Sequence, residues 1–134
     1  MNAHVLLIED DALDREFILR AMSRTTKNIK IVVAEDGASA LEILRNEPPP
    51  SVIVTDLSMP RMDGHELLQA LKSDDSLKKI PAIVLSTADG EDVIEACYAE
   101  HCNAYLVKPA SIKDYDRIAD RIQAFWLEEV RLPH

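Results

Sequence analysis

Short apolar runs alternate along this chain with longer segments whose apolar residues recur at helical spacing. Val5 to Ile8 is continuous and apolar and ends in Glu9, Asp10 and Asp11, the pattern of a strand buried on both faces with acids at its exit. Leu13, Phe17 and Ala21, with Ile18 and Met22 beside them, then mark a first helix, and Asp14, Arg15, Glu16 and Arg20 supply its wet face. Ile31 to Ala34 is a second strand. After Gly37, Ala38 to Leu44 is a helix with Leu41 and Leu44 inward, stopped before Pro48, Pro49 and Pro50, which form a stiff surface linker. Val52 to Val54 leads to a lone carboxylate, Asp56, and into a loop punctuated by Ser58, Pro60, Asp63 and Gly64. His65 to Ser73 is a helix through Leu67, Leu68 and Leu71, and Ile80 to Ser86 a fourth strand that runs on to Thr87. Asp92 to Ala99 reads as a helix with Val93, Ala96 and Cys97 inward and Ile94 and Tyr98 outward. Tyr105 to Val107 is a fifth strand, running into Lys108 and Pro109. Ser111 and Asp114 stand at capping-box spacing, with Asp where Glu or Gln is usual, and open a last helix striped by Tyr115, Ile118, Ile122 and Phe125.

Strands that alternate with helices call for a parallel sheet covered on both faces, because each right-handed crossover lays its helix against one face. The expected fold class is α/β, doubly wound. Ligands in such folds bind outside the carboxyl ends of the strands, so chemistry belongs at Asp56 and its neighbours. Periodicity does not order the strands, but for Glu9, Asp10 and Asp56 to converge strands one and three must be adjacent, a condition that the expected order 2-1-3-4-5 satisfies.

Composition narrows the partners. With 134 residues, 47% of them hydrophobic, the chain is expected to form one domain over 1–134. A formal net charge of -9 argues against direct contact with nucleic acid, which needs a basic face. No apolar run approaches the ~20 residues of a membrane span, so no membrane association and a cytoplasmic location are expected. Cys97 and Cys102 lack CxxC spacing and read as buried thiols.

The strand exits then hold Glu9 with Asp10, Asp56, Thr87 and Lys108 around one crevice. Two carboxylates ~4 Å apart repel by roughly 4 kcal/mol at an effective dielectric of ~20, so three of them need a cation. Carboxylate oxygens with a backbone carbonyl, for which Ser58 is nearest, suit a hard ion: Mg²⁺ first, with Mn²⁺ as substitute. A carboxylate can attack phosphorus to give an aspartyl phosphate, with Lys108 and the Thr87 hydroxyl holding phosphoryl oxygens. Each residue singly has a plainer role. Asp10 or Asp11 could cap the next helix, Thr87 could make a turn, and Lys108 could be a solvated charge. Their joint position at successive strand exits favours phosphoryl acceptance.

The segments EDD at 9–11, TDLSMPRMDG at 55–64, STA at 86–88 and YLVKP at 105–109 closely resemble the receiver domain of two-component response regulators. That resemblance implies Asp56 as phosphoacceptor, Asp10 as a direct metal ligand, Glu9 as an acid acting through water, and Lys108 as the phosphate contact. It also implies Thr87 and Tyr105 as a switch pair, a cis bond before Pro109, and a histidine kinase as donor. Phosphorylation would add about -1.5 to -2 charge at Asp56 and draw Thr87 toward it, opening space for Tyr105 to turn. Inverting a 1:99 equilibrium takes about 5.5 kcal/mol. The tail AFWLEEVRLP, 124–133, and the segment IPAIVLSTAD resemble single-domain regulators paired with bacterial phytochrome histidine kinases. In that subgroup a homodimer forms through helix four, strand five and helix five, so 111–134 is expected to contribute to such an interface. The apolar excess of Phe125, Trp126, Leu127, Val130 and Leu132 fits it, although Trp126 could equally cover the bottom of the core.

Three other readings compete. A phosphatase of the haloacid dehalogenase type resembles D-x-D, but here the second acid's place is taken by Ser58. A flavin module would want a hydroxyl-rich phosphate loop and aromatic walls, whereas Glu9 to Asp11 repel phosphate and aromatics make up 4% of the chain. A pseudo-receiver that binds a partner without phosphorylation would not need the full acidic set. His65, with no acidic or metal partner at telling spacing, reads as a surface residue.

Overall fold

The computed structural model describes residues 3–25 and 29–129. Five strands, β1 (Ala3–Ile8), β2 (Ile29–Ala34), β3 (Val52–Thr55), β4 (Ala82–Ser86) and β5 (Ala104–Val107), form one parallel sheet in the order β2-β1-β3-β4-β5. The helices between them are α1 (Ala12–Thr25), α2 (Gly37–Asn46), α3 (Gly64–Lys72) and α4 (Glu91–Ala99). After β5 comes α5 (Ile112–Ile122), which continues as a π-helical segment, Gln123–Glu129. The doubly wound α/β fold expected from the alternation of runs is observed, and so is the expected strand order.

Side chains alternate across the sheet and build two cores. Leu6, Ile8, Ile53, Ala82 and Val84 face α2, α3 and α4, where Leu41, Leu67, Leu68, Leu71 and Cys97 meet them. Val5, Leu7, Val52, Val54, Ile83 and Leu85 face α1 and α5, against Ile18, Ala21, Met22, Tyr115, Ala119 and Ile122. Leu67, Leu68 and Leu71 are fully buried, and at about 1.5–3 kcal/mol each they make α3 a firm support beneath the loop that follows β3.

Several expectations need correction. Leu13 and Phe125 are exposed, because α1 and α5 bury the stripes Ile18–Ala21–Met22 and Tyr115–Ala119–Ile122, with Phe17, Leu19 and Ile118 partly buried beside them. Ala96 is exposed and Cys97 is the buried residue of α4. β4 begins at Ala82, since Pro81 has no N–H to donate to the ladder and only its carbonyl pairs, with Ile53 N. Ser111 is the N-cap of α5, but its hydroxyl bonds the Asp114 carboxylate and not a backbone amide; the capping box is at Asp63 and Glu66, opening α3. No peptide is cis among the described residues, so the bond before Pro109 is trans, the form that X–Pro favours by about 0.5–1 kcal/mol. Trp126 packs partly buried on the α1–α5 core, edge-on to Phe125, while the Leu127 side chain, Val130, Leu132 and Pro133 lie outside the described residues. No helix among the described residues is long and apolar enough to cross a membrane.

Candidate functional site

The predicted residues converge because the parallel ladders run one bond past the strands. Glu9 N donates to Ala34 O at the end of β2, Asp56 N to Ile8 O at the end of β1, and Lys108 N to Ser86 O at the end of β4, at 3.0, 3.0 and 2.7 Å. Each residue is therefore the first beyond its own strand, and the pleat turns their side chains into one crevice. Glu9, Asp10 and Asp56 offer carboxylate oxygens within 4.8 Å of one another. Hard oxygen donors gathered this closely fit a small divalent cation.

Lys108 enters this acidic set almost fully buried. Its Nζ lies 2.6 Å from Glu9 Oε1, 2.8 Å from Asp14 Oδ2 and 2.9 Å from Asp56 Oδ2, so all three ammonium protons have a carboxylate partner. Burial works to lower the Lys108 pKa, but Asp14, Glu9 and Asp56 outweigh it and raise it above the ordinary value. Burial pushes the Glu9 carboxyl up to about 7, with Lys108 opposing and Asp56 adding to the rise. Asp10 is exposed. Asp14, at a position expected on the wet face of α1, joins the site through its bond to Lys108; only the packing of α1 against the exit of β5 reveals it. Asp11 turns out to cap α1, its Oδ1 accepting from Leu13 N and Asp14 N.

The loop after β3 is held from below and from the side. Gly64 N donates to Leu57 O at 2.8 Å, and a Cβ on Gly64 would sit 2.4 Å from Asp56 O, so only glycine lets α3 start this close to the site. Arg61, in the left-handed region at φ 65°, forks onto Asp36 with Nε–Oδ2 at 2.7 Å and Nη2–Oδ1 at 3.0 Å. Asp36 also caps α2 through Ser39 N, and the Arg61 and Ser39 bonds hold its carboxyl down at about 2. The D-x-x-E spacing of Asp63 and Glu66 was a legible sign of the α3 start; the Asp36–Arg61 fork had none.

The opposite flank is looser. Thr87 is exposed and makes no hydrogen bond to Asp56 among the described residues; it lines an open cavity of about 460 Å³ with Ser58, Met59, Asp63, His65 and Ala88. The Tyr105 hydroxyl donates to Ala88 O at 2.5 Å, tying β5 to the loop that carries Thr87. His65, expected at the surface without a partner, is half-buried, and its Nδ1 pairs with Glu100 Oε1 on α4. Both thiols are buried, and burial, with Cys102 and Glu100 nearby, pushes Cys97 up to about 11.

Residues 5–122 match the family described as response regulator receiver domain. The response regulator Rcp1 of Synechocystis sp. is 36% identical over 135 residues, covering 96% of this chain and 92% of that protein. The crystal structure of the phosphorylated cyanobacterial phytochrome response regulator RcpA superposes with a TM-score of 0.95 at 36% identity, covering all of both chains. That of the Mn²⁺-bound form of Rcp1 gives 0.90 at 35% identity, over 98% of this chain and 99% of the other. The chain belongs to the response regulator receiver domain family, and is related within it to phytochrome response regulators.

Proposed function

We propose that this receiver accepts a phosphoryl group from a histidine kinase on Asp56 and that the phosphorylated form presents an altered surface of α4, β5 and α5 to a protein partner. The observation that carries the reading is the setting of Asp56: Oδ2 is 2.9 Å from Lys108 Nζ, with the Glu9 and Asp10 carboxylates gathered beside it. An Asp56 oxygen attacks phosphorus, the P–N bond to the donor imidazole breaks, and the imidazole nitrogen keeps the bonding pair and takes a proton. Glu9, Asp10, Asp56 and the Ser58 carbonyl would hold Mg²⁺, with Mn²⁺ as substitute. The ion would supply neutralisation of charge on the transferred group. The Mn²⁺ in the Rcp1 structure supports a divalent cofactor.

Lys108 has no spare proton, so it must exchange one carboxylate for a phosphoryl oxygen. Asp14, whose side chain is 30% exposed, is the partner most readily released to water. The Thr87 hydroxyl takes another phosphoryl oxygen, moving the loop whose Ala88 carbonyl holds Tyr105, and so the two act as a switch pair. Hydrolysis of the acyl phosphate in the same site resets the protein. Kinship with phytochrome response regulators supports a bacterial phytochrome kinase as donor. Exposed Tyr98 on α4, Val107 on β5, Ile112 on α5 and Phe125 beyond its end support a homodimer through α4, β5 and α5.

Intact mass after treatment with acetyl phosphate and Mg²⁺ tests the acceptor: one phosphoryl is gained by the wild type and none by Asp56→Asn. Gain in both proteins would move the acceptor elsewhere. Sedimentation at micromolar concentration, with and without a phosphate analogue, tests the dimer, and a monomer in both conditions removes it.

A further inference from the structure

On the flank of the sheet that α3 and α4 cover, a second set of ligating side chains comes together. His65 stands in the first turn of α3, Cys97 near the end of α4, and Glu100 three residues on at the α4 C-cap. A ring nitrogen of His65, the Cys97 Sγ and a Glu100 carboxylate oxygen all lie within 4.8 Å of one another. Cys97 closes the set on the core side, while His65 and Glu100, at 35% and 16% side-chain exposure, open it to solvent. Gln69, one turn along α3 from His65, donates Nε2 to Glu100 Oε2 at 3.2 Å. It orients the carboxylate from outside the set, as outer partners of metal ligands do.

We propose that His65, Cys97 and Glu100 form a binding site for a transition-metal divalent cation of the Zn²⁺ class, separate from the carboxylate site at the strand exits. One imidazole nitrogen, one thiolate sulfur and one carboxylate oxygen make a borderline donor set that suits Zn²⁺ and disfavours Mg²⁺. Three protein ligands leave the fourth tetrahedral position to water, on the exposed side. On binding, the His65 Nδ1–Glu100 Oε1 hydrogen bond opens and the Cys97 S–H bond breaks, metal–ligand bonds form in their place, and the Cys97 proton leaves to solvent. The ion staples α4, where Cys97 is the buried residue, to α3, which three buried leucines anchor. α4 begins just beyond the loop that carries Thr87, so the staple restrains the switch flank.

The test is a Co²⁺ titration of the full chain in saturating Mg²⁺, read by the thiolate-to-cobalt charge-transfer absorption, which a carboxylate site cannot produce. One equivalent of Co²⁺ should develop the band and Zn²⁺ should displace it. Cys97→Ser should abolish the band and Cys102→Ser should leave it. Gln69→Ala should weaken binding about 10–100-fold. A wild type without the band, or a band that survives Cys97→Ser, overturns the site. Should Cys97→Ser fail to fold, Glu100→Gln decides: with its circular dichroism unchanged, a Co²⁺ affinity equal to wild type is equally fatal. Neither result bears on phosphorylation of Asp56, which is read by mass.

Discussion

Asp56 stands between two flanks that are built differently. Toward α1 and α2, its neighbours are tied by ion pairs and a cap: Glu9 and Asp14 are bonded to Lys108, Asp11 caps α1, and Arg61 forks onto Asp36. Toward α4, Thr87 is exposed, Gly90 caps the helix with no side-chain bond, and Cys97 is the residue that α4 buries. A phosphoryl group needs one rigid wall to fix its oxygens and one wall that can move in response. On the proposed function, a second wall held by fewer side-chain bonds answers a change of a few kcal/mol while the first stays in place.

That contrast can be broken at its strongest point. Lys108→Ala leaves Glu9 and Asp56 facing each other, buried and unpaired, and should cost about 3–5 kcal/mol by urea unfolding at alkaline pH, where Glu9 is charged. The loss should shrink as pH falls toward 7. Against burial and Asp56, which raise it, Lys108 holds the Glu9 pKa down to about 7, so without the lysine the carboxyl takes up its proton at higher pH, and its charge then needs no partner. Saturating Mg²⁺ should recover part of it. A loss under 1 kcal/mol would mean that the rigid flank does not depend on its ammonium.

Gly64→Ala comes next. Its Cβ would lie 2.4 Å from Asp56 O and 2.8 Å from Leu57 Cα, so backbone must shift, at about 1–3 kcal/mol and with slower phosphorylation. Unchanged phosphorylation kinetics would show that the loop after β3 has slack. Asp36→Asn removes half of the fork and should cost about 1 kcal/mol. Because the Asp36 pKa is depressed from 3.8 to about 2, its contribution is full above pH 4 and fades as pH falls toward 2, so the gap between variant and wild type should close over that interval in acid unfolding. On the loose flank Gly90→Ser adds the missing cap where nothing stands within 4 Å, and should stabilise by only a few tenths of a kcal/mol. Its effect belongs in hydrogen exchange of α4: slower exchange there with α3 unchanged is the expected result, and equal slowing in both would mean that the flanks are not independent.

Much of this was legible in the chain itself. Apolar runs such as Val5 to Ile8 and Val52 to Val54 mark strands buried on both faces, since a parallel sheet has no wet side, and acids or a lysine just beyond such runs must lie at strand exits. Hence the fold and the gathering of Glu9, Asp10, Asp56 and Lys108 could be argued from spacing, whereas the strand order needed the convergence of the acids and the family resemblance, and Thr87 stands exposed on the far flank. Boundaries and faces were less secure where helices carry apolar residues on several sides, as Leu13, Ala96 and Phe125 show.

Tertiary structure alone decided which polar groups meet across elements. Asp14 and Lys108 are 94 residues apart, Arg61 and Asp36 are 25, and His65 and Glu100 are 35, and no periodicity links such pairs. A local pattern reports which face of an element is wet or dry. It carries no information on which charged tip, on a long and rotatable side chain, will find a partner after the helices have packed.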